Sequence, residues 1–165
     1  MSKNKNKALV EDTNRKIKAY QRLSLYGLIP GIIDLATVMI SVFSSRRNVT
    51  LATGLSRYFY EVFVSNGVSY CSIFVSLGIA AIFIFFGYFA LKAKLWANIS
   101  ITTLYLADFI FLIIISIQKG MEAGSMDVEA VFCMVIHFLF FVLQILALIF
   151  YFLANKALKK EKQSA

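Results

Sequence analysis

Four long stretches of this chain are rich in apolar residues and contain no lysine, arginine or glutamate. They lie between Arg22 and Arg46, Glu61 and Lys92, Lys94 and Lys119, and Glu129 and Lys156. Each is longer than the roughly 20 residues that an α-helix needs to cross a bilayer core about 30 Å thick. The pattern predicts four transmembrane helices, over about 23–45, 66–91, 95–118 and 130–154.

The texture of these stretches favours helices over a β-barrel. Segments such as IFVSLGIAAIFIFF and FLFFVLQILALIF are apolar on all sides, whereas barrel strands alternate polar and apolar positions over about 10 residues. A spanning segment must satisfy its own backbone polar groups, which leaves helices and closed barrels as the choices. We therefore expect an all-α membrane protein, a bundle of four transmembrane helices.

Composition supports the membrane class. Hydrophobic residues make up 59% of the 165 residues, and the mean hydropathy is +0.74, which is too apolar for an ordinary soluble domain of this size. The domain organisation that follows is a basic N-terminal segment over 1–21, a transmembrane domain over 22–155 and a basic tail over 156–165. The N-terminal segment is either a solvated flank or contains a short helix around NRKIKAYQRL.

The basic residues predict the orientation in the membrane. With both termini in the cytoplasm, 13 of the 17 lysines and arginines lie inside and 4 outside, as the excess of basic residues in cytoplasmic loops requires. The expected location is the cell membrane, where these cations contact anionic lipid headgroups. The net charge of +8 comes with no nucleic-acid-binding motif, so no nucleic-acid partner is expected.

Local features refine the picture of the helices. Pro30 lies inside the first span, where it removes a backbone donor, so we expect a kink and a neighbouring helix that satisfies the freed carbonyl.

Ser72, Ser76 and Ala80 recur every four residues, a spacing that lets helices approach closely, within the chain or in a homo-oligomer. The connections carry a sequon at 48–50 and a helix cap at Ser125 or Asp127.

The longest loop between spans carries a helical pattern of its own. Apolar residues at Leu51, Leu55, Tyr58, Phe59 and Phe63 recur at helical spacing. The pattern predicts either a short interfacial helix near residues 50–62, on the outer surface of the membrane, or an early start of the second span.

Three ionisable residues lie within the predicted spans: Asp34, Asp108 and His137. An aspartate at mid-membrane costs about 2.5 to 3.5 kcal/mol on insertion scales, so each should face other helices and find a partner. A rise of about 1.5 Å per residue places the three at depths of about 18, 16 and 12 Å below the outer boundary, nearly in one layer. Tyr105 and Gln144 follow on the faces of Asp108 and His137.

These five residues form the candidate intramembrane polar site, between the first, third and fourth spans. Asp108 and His137 could form a buried link that fixes the helices in register, or a site that binds or moves a proton or ligand together with Asp34. They could also make no contact at all. The sequence alone leaves these alternatives open.

Other catalytic chemistry lacks its motifs. The chain has two cysteines and one histidine, without a CxxC, a phosphate-binding loop, GxSxG or HExxH. We expect no catalytic residues, no metal and no cofactor. Cys71 and Cys133 both fall near the outer ends of their spans, so a disulfide is possible, although unpaired thiols are the more common outcome.

The stretch KLWANISITTLYLADFIFLI, followed by His137 in the next span, resembles a pattern in small bacterial integral membrane proteins with four helices and no assigned function. The resemblance covers residues 92–155. It implies a bacterial cytoplasmic membrane and an association of Asp108 with His137. The expected function is that of an accessory or interaction protein of the membrane, with a membrane-protein partner or a second copy of itself. The alternative is a small proton-coupled transporter that uses Asp34, Asp108 and His137.

Overall fold

The structure, a computed structural model, describes residues 2–44, 53–68, 70–124 and 128–164. Over these ranges the chain forms α-helices and one turn of 3-10 helix, with no strand. The α-helices are α1 (Ser2–Leu25), α2 (Ile29–Ser44), α3 (Gly54–Ser65), α4 (Cys71–Leu91), α5 (Leu95–Ala123) and α6 (Val128–Ser164), and the 3-10 turn is Tyr26–Leu28. The sequon at 48–50 and the caps expected at Ser125 and Asp127 lie outside the described residues.

Four helical segments are long and apolar enough to cross a membrane. They are Lys7–Ile40, Cys71–Leu91, Leu95–Glu122 and Val131–Lys160. Large apolar side chains cover their outward faces, for example Phe74, which is 71% exposed, and Ile114 and Phe152. Lipid is the solvent in which such a surface is stable. The all-helical, multi-pass membrane class predicted from the sequence is confirmed at this level.

The first predicted span is interrupted where Pro30 lies. The carbonyl of Tyr26 would accept from residue 30 in a regular α-helix, and proline has no N–H to give. The chain tightens instead into the 3-10 turn, in which the Ile29 N–H donates to the Tyr26 carbonyl. The Tyr105 hydroxyl of α5 donates to the same carbonyl at 2.7 Å. A neighbouring helix thus satisfies the freed group, as expected.

The N-terminal segment is helical around NRKIKAYQRL, one of the two alternatives expected, but the helix is longer than expected. Residues from Ser2 onward form α1, which packs along α6, and α6 itself continues to Ser164 through the predicted tail. Tyr20 and Tyr151 meet edge to face with ring centroids 5.6 Å apart, and Thr13 and Ala157 are buried. The physical reason is a narrow stripe of small and aromatic residues that the surrounding charges mask in the sequence.

The small residues of α4 are used inside the chain. A Cβ added to Gly31 of α2 would lie 2.8 Å from the Ala80 carbonyl, and one added to Gly87 would lie 3.0 Å from the Gly27 backbone. Ser72 and Ser76 are buried on the same helix. Close approach of α2 to α4 therefore accounts for this spacing.

Helix α3 follows neither of the two alternatives for the long loop. It ends in a turn at Asn66 and Gly67, before α4 begins at Cys71, so it is not an early start of the second span. It also does not lie across the ends of the other helices, because it runs alongside α5. Tyr58 and Phe111 have ring centroids 4.9 Å apart, and Lys119 Nζ lies 2.6 Å from Glu61 Oε1 one to two turns further on.

Candidate intramembrane polar site

The beginning of α3 organises the polar site. The first four N–H groups of an α-helix have no partner within the helix and must find one elsewhere. Thr53 is the N-cap residue, with extended backbone angles, and its Oγ1 accepts from the Ser56 N–H at 3.2 Å. Threonine is a favoured N-cap for this reason. Two aspartates from other helices accept from the Thr53 and Leu55 N–H groups.

Asp34 of α2 binds the N-cap from one side. Its Oδ1 accepts from the Thr53 N–H at 2.8 Å, and its Oδ2 accepts from the Thr53 and Ser56 hydroxyls, each at 2.7 Å. The residue is 1% exposed. Three donors on one carboxylate, at the positive end of a helix dipole, are the environment that a buried negative charge needs.

Asp108 of α5 binds the same helix end from another side and connects it to α6. Its Oδ1 accepts from the Leu55 N–H at 3.1 Å, and its Oδ2 lies 2.6 Å from His137 Nδ1. Asp108 is fully buried and His137 is 6% exposed. With Asp108 ionised and the imidazole neutral, Nδ1 donates to the carboxylate and Nε2 is left as an acceptor.

Gly54 allows α3 to reach this position. A Cβ at residue 54 would lie 2.8 Å from the Leu112 backbone nitrogen and would collide with the Asp108 carbonyl oxygen. Only glycine lets the two backbones come this close. The helix end therefore sits at the level of Asp108, fifteen residues or about 22 Å before the end of α5 at Ala123.

This level lies well inside the molecule. Helix α2 extends ten residues beyond Asp34, to Ser44, and α3 begins again beside Asp34. At a rise of about 1.5 Å per residue, the end of α2 lies about 15 Å beyond the level at which α3 begins. Helix α3 is thus re-entrant relative to its neighbours, with its N-terminus enclosed by protein. Such an arrangement is tolerated at membrane depth where other helices satisfy the backbone.

Of the five residues expected in the polar site, the structure brings Asp108 and His137 into direct contact. Asp34 joins the same assembly through the N-terminus of α3. Tyr105 and Gln144 lie apart from it: the Tyr105 hydroxyl binds the Tyr26 carbonyl, and Gln144 Nε2 lies 3.4 Å from the Leu23 carbonyl. The three residues expected in nearly one layer therefore belong to one assembly, whereas Tyr105 and Gln144, expected deeper on the same faces, make separate contacts.

Thr53, Leu55 and Ser56 are site residues that the sequence reasoning missed. The stretch Thr-Gly-Leu-Ser before an apolar helical pattern does carry an N-cap signal at Thr53. That signal gives the start of a helix, but it does not show that the helix end meets two intramembrane acids.

A cavity of about 240 Å³ borders the site. Helix α2 packs mainly on α4, and α6 packs on α1 and α5, which leaves a gap between α2 and α6. The lining residues are Pro30, Ile33, Thr53, Cys133, Ile136, His137 and Phe140. The walls are apolar, and Thr53 and His137 bring the edge of the polar assembly to the cavity.

The side chains present do not make a metal site. Within the part of the chain that the structure describes, no group of three or more histidine, cysteine or acidic residues is placed to hold a metal ion. Cys71 and Cys133 are not joined by a disulfide. The chemistry that the assembly offers is hydrogen bonding and proton exchange at one imidazole.

Comparison with known proteins found no relative of this chain. No protein-family model, no curated protein and no solved structure matches the chain. The site is therefore interpreted from its own geometry.

Proposed function

We propose that this chain is a four-helix membrane bundle that acts as an accessory or interaction protein of the cell membrane and performs no catalysis. Both termini would lie in the cytoplasm, on the side that receives 13 of the 17 basic residues. The structure supports a common side for the termini, because the beginning of the chain and its end pack together as α1 and α6.

One observation carries the proposal. Asp34 and Asp108, the two aspartates buried at mid-span, accept hydrogen bonds from the N-terminus of α3, and Asp108 also contacts His137 of α6. Buried carboxylates in that arrangement fix the register of α2, α3, α5 and α6 relative to one another. The polar assembly then serves as a structural link, and solvent does not reach either acid, since both are at most 1% exposed.

The helices at the end with the termini offer a place for a partner. From Tyr20 to Ser2 α1 continues for 18 residues, and from Tyr151 to Ser164 α6 continues for 13 residues. These lengths correspond to about 27 and 20 Å of helix. Tyr20 lies level with the turn before α5, because Asn98 Nδ2 donates to its hydroxyl at 2.7 Å. The paired helices therefore project beyond that turn, where an interaction protein would present a surface.

A small proton-coupled transporter is the second candidate, favoured by the contact of His137 with both Asp108 and the cavity. Imidazole side chains serve as proton shuttles in proteins. Proton-coupled carriers place such groups inside the membrane, at cavities between helices. Under this proposal the Asp108–His137 pair takes up a proton when the cavity opens to one side of the membrane and releases it when the cavity opens to the other.

Asp108→Asn distinguishes the two candidates. The purified protein is reconstituted into liposomes loaded with a pH-sensitive dye, and dissipation of an imposed pH gradient is measured for the wild type, Asp108→Asn and the surface control Asp12→Asn. If the assembly is structural, none of the three exceeds protein-free liposomes, and Asp108→Asn alone unfolds at a lower temperature. Proton flux in the wild type that disappears in Asp108→Asn, without loss of thermal stability, would overturn the accessory function and support transport.

A further inference from the structure

The cavity between α2 and α6 has one polar corner and otherwise apolar walls. Pro30, Ile33, Ile136 and Phe140 supply hydrocarbon and an aromatic ring, and His137 lies at the corner beside Thr53. The volume of about 240 Å³ is smaller than the 300–1,000 Å³ of sites for drug-sized ligands. A slender molecule suits it better than a branched or fused one.

The hydrogen bonds that His137 and Thr53 already make define which ligand groups could bind at the polar corner. His137 uses Nδ1 for Asp108 on α5, and the same side chain lines the cavity. We take Nε2, the ring nitrogen that Asp108 does not use, as the one that a ligand in the cavity would meet. With the proton on Nδ1, Nε2 offers a lone pair. Thr53 donates its hydroxyl hydrogen to Asp34 and accepts from the Ser56 N–H, so its oxygen has one lone pair left and no hydrogen to donate.

A ligand that completes this corner must therefore bring a hydrogen-bond donor. A carboxylate or phosphate headgroup would place lone pairs against lone pairs. A cationic headgroup would have to leave water at a large cost in free energy. A hydroxyl group on a hydrocarbon chain donates one hydrogen bond and carries no charge, and its chain matches the apolar walls.

We propose that this cavity binds a neutral single-chain amphiphile with a terminal hydroxyl group. The hydroxyl donates to Nε2 of His137, and the chain lies between α2 and α6. This inference names a ligand for the chain and rests on the proposed structural role, in which His137 is neutral with its proton on Nδ1. A protonated His137, as proton transport requires, would donate from Nε2 and would favour an anionic headgroup instead.

The single histidine of the chain makes the test direct. Protein labelled with ¹⁵N-histidine is placed in phosphatidylcholine nanodiscs, whose lipid carries no hydrogen-bond donor, and is titrated with 1-decanol or its matched ether, 1-methoxydecane. We expect the Nε2 resonance to move saturably with 1-decanol. The ether should bind roughly five- to tenfold more weakly, as the loss of one hydrogen bond requires, and should leave Nε2 in place.

Two tryptophan substitutions on α6 locate the site. Ile136→Trp fills the cavity, whereas Val135→Trp adds the same bulk one position earlier, on a face that is 52% exposed. Binding of 1-decanol should weaken about tenfold or more in Ile136→Trp, equivalent to about 1.4 kcal/mol, and should be unchanged in Val135→Trp.

Several results would overturn the inference. They are a Nε2 shift that does not saturate, an equal response to alcohol and ether, equal effects of the two tryptophans, or tighter binding of decanoate or decylammonium than of 1-decanol. The comparison of alcohol with ether uses the wild-type protein, so the test stands even if Ile136→Trp does not fold.

Discussion

Asp34 and Asp108 are both buried acids, but they hold different numbers of elements together. Asp34 accepts three hydrogen bonds from two residues at the N-terminus of α3, Thr53 and Ser56. Asp108 divides its oxygens between the backbone of α3 and the imidazole of His137. Loss of Asp34 therefore removes one anchor of α3, whereas loss of Asp108 also separates α5 from α6.

Replacement of Asp34 by alanine should lower the free energy of unfolding by about 2 to 3 kcal/mol, because it leaves buried donors on Thr53 and Ser56 without their charged acceptor. The measurement is helix loss by circular dichroism during denaturation in mixed micelles. Asp12→Ala is the matched control: Asp12 pairs on the surface of α1 with Lys16, and its removal should cost less than about 0.5 kcal/mol. Equal effects of the two substitutions would show that Asp34 does not anchor α3.

At the scale of single residues, the sequence predicted part of the site. The depths of Asp108 and His137 could be counted from flanking charges, because helix rise is constant, and residues at equal depth on adjacent spans can meet. Thr53 could not be placed in the same way, because it precedes a helix whose position depends on tertiary contacts. Tyr105 was expected in the polar site, one turn inward of Asp108, whereas its hydroxyl binds the Tyr26 carbonyl, which has no α-helical donor because residue 30 is proline.

At the scale of elements, α3 shows what periodicity can and cannot predict. Apolar residues at helical spacing indicated a helix near residues 50–62, and the structure has one at Gly54–Ser65. Its direction followed from contacts that periodicity does not encode: two distant carboxylates at its beginning and Lys119 near its end. The lengths of α1 and α6 were also underestimated, because charged residues mark the membrane boundary but do not end a helix.

Gly54→Ala tests whether α3 depends on close approach to α5. The added Cβ would collide with the α5 backbone, so we expect a loss of about 1 to 3 kcal/mol in unfolding free energy, the usual cost of overpacking. Gly78→Ala is the control, since a Cβ there meets nothing within 4 Å and alanine favours a helix interior by up to about 1 kcal/mol. The same denaturation assay should show opposite signs. A neutral Gly54→Ala would mean that α3 can lie further from α5.

At the scale of the whole molecule, charge and packing divide the chain into two unlike ends. One end holds the paired α1 and α6, and there Tyr20 also donates a hydrogen bond to the Ala90 carbonyl at the end of α4. The opposite end holds the C-terminus of α3 and its ion pair to α5. The hydrophobic pattern could give four spans, because burial in lipid demands length and apolarity. The sequence pattern did not predict that the basic N-terminal and C-terminal segments pack together as α1 and α6.

Reporter fusions test the orientation that this asymmetry implies. With the basic end in the cytoplasm, green fluorescent protein should fluoresce at the C-terminus, after Ala165, and alkaline phosphatase inserted at Gly67 should be active. Gly67 suits the insertion because it lies in the turn between α3 and α4 with open space around it. As a control, phosphatase inserted at Ala93, in the turn between α4 and α5, should be inactive. Phosphatase activity at Ala93 together with a dark C-terminal fusion would reverse the orientation and place the paired helices outside the cytoplasm.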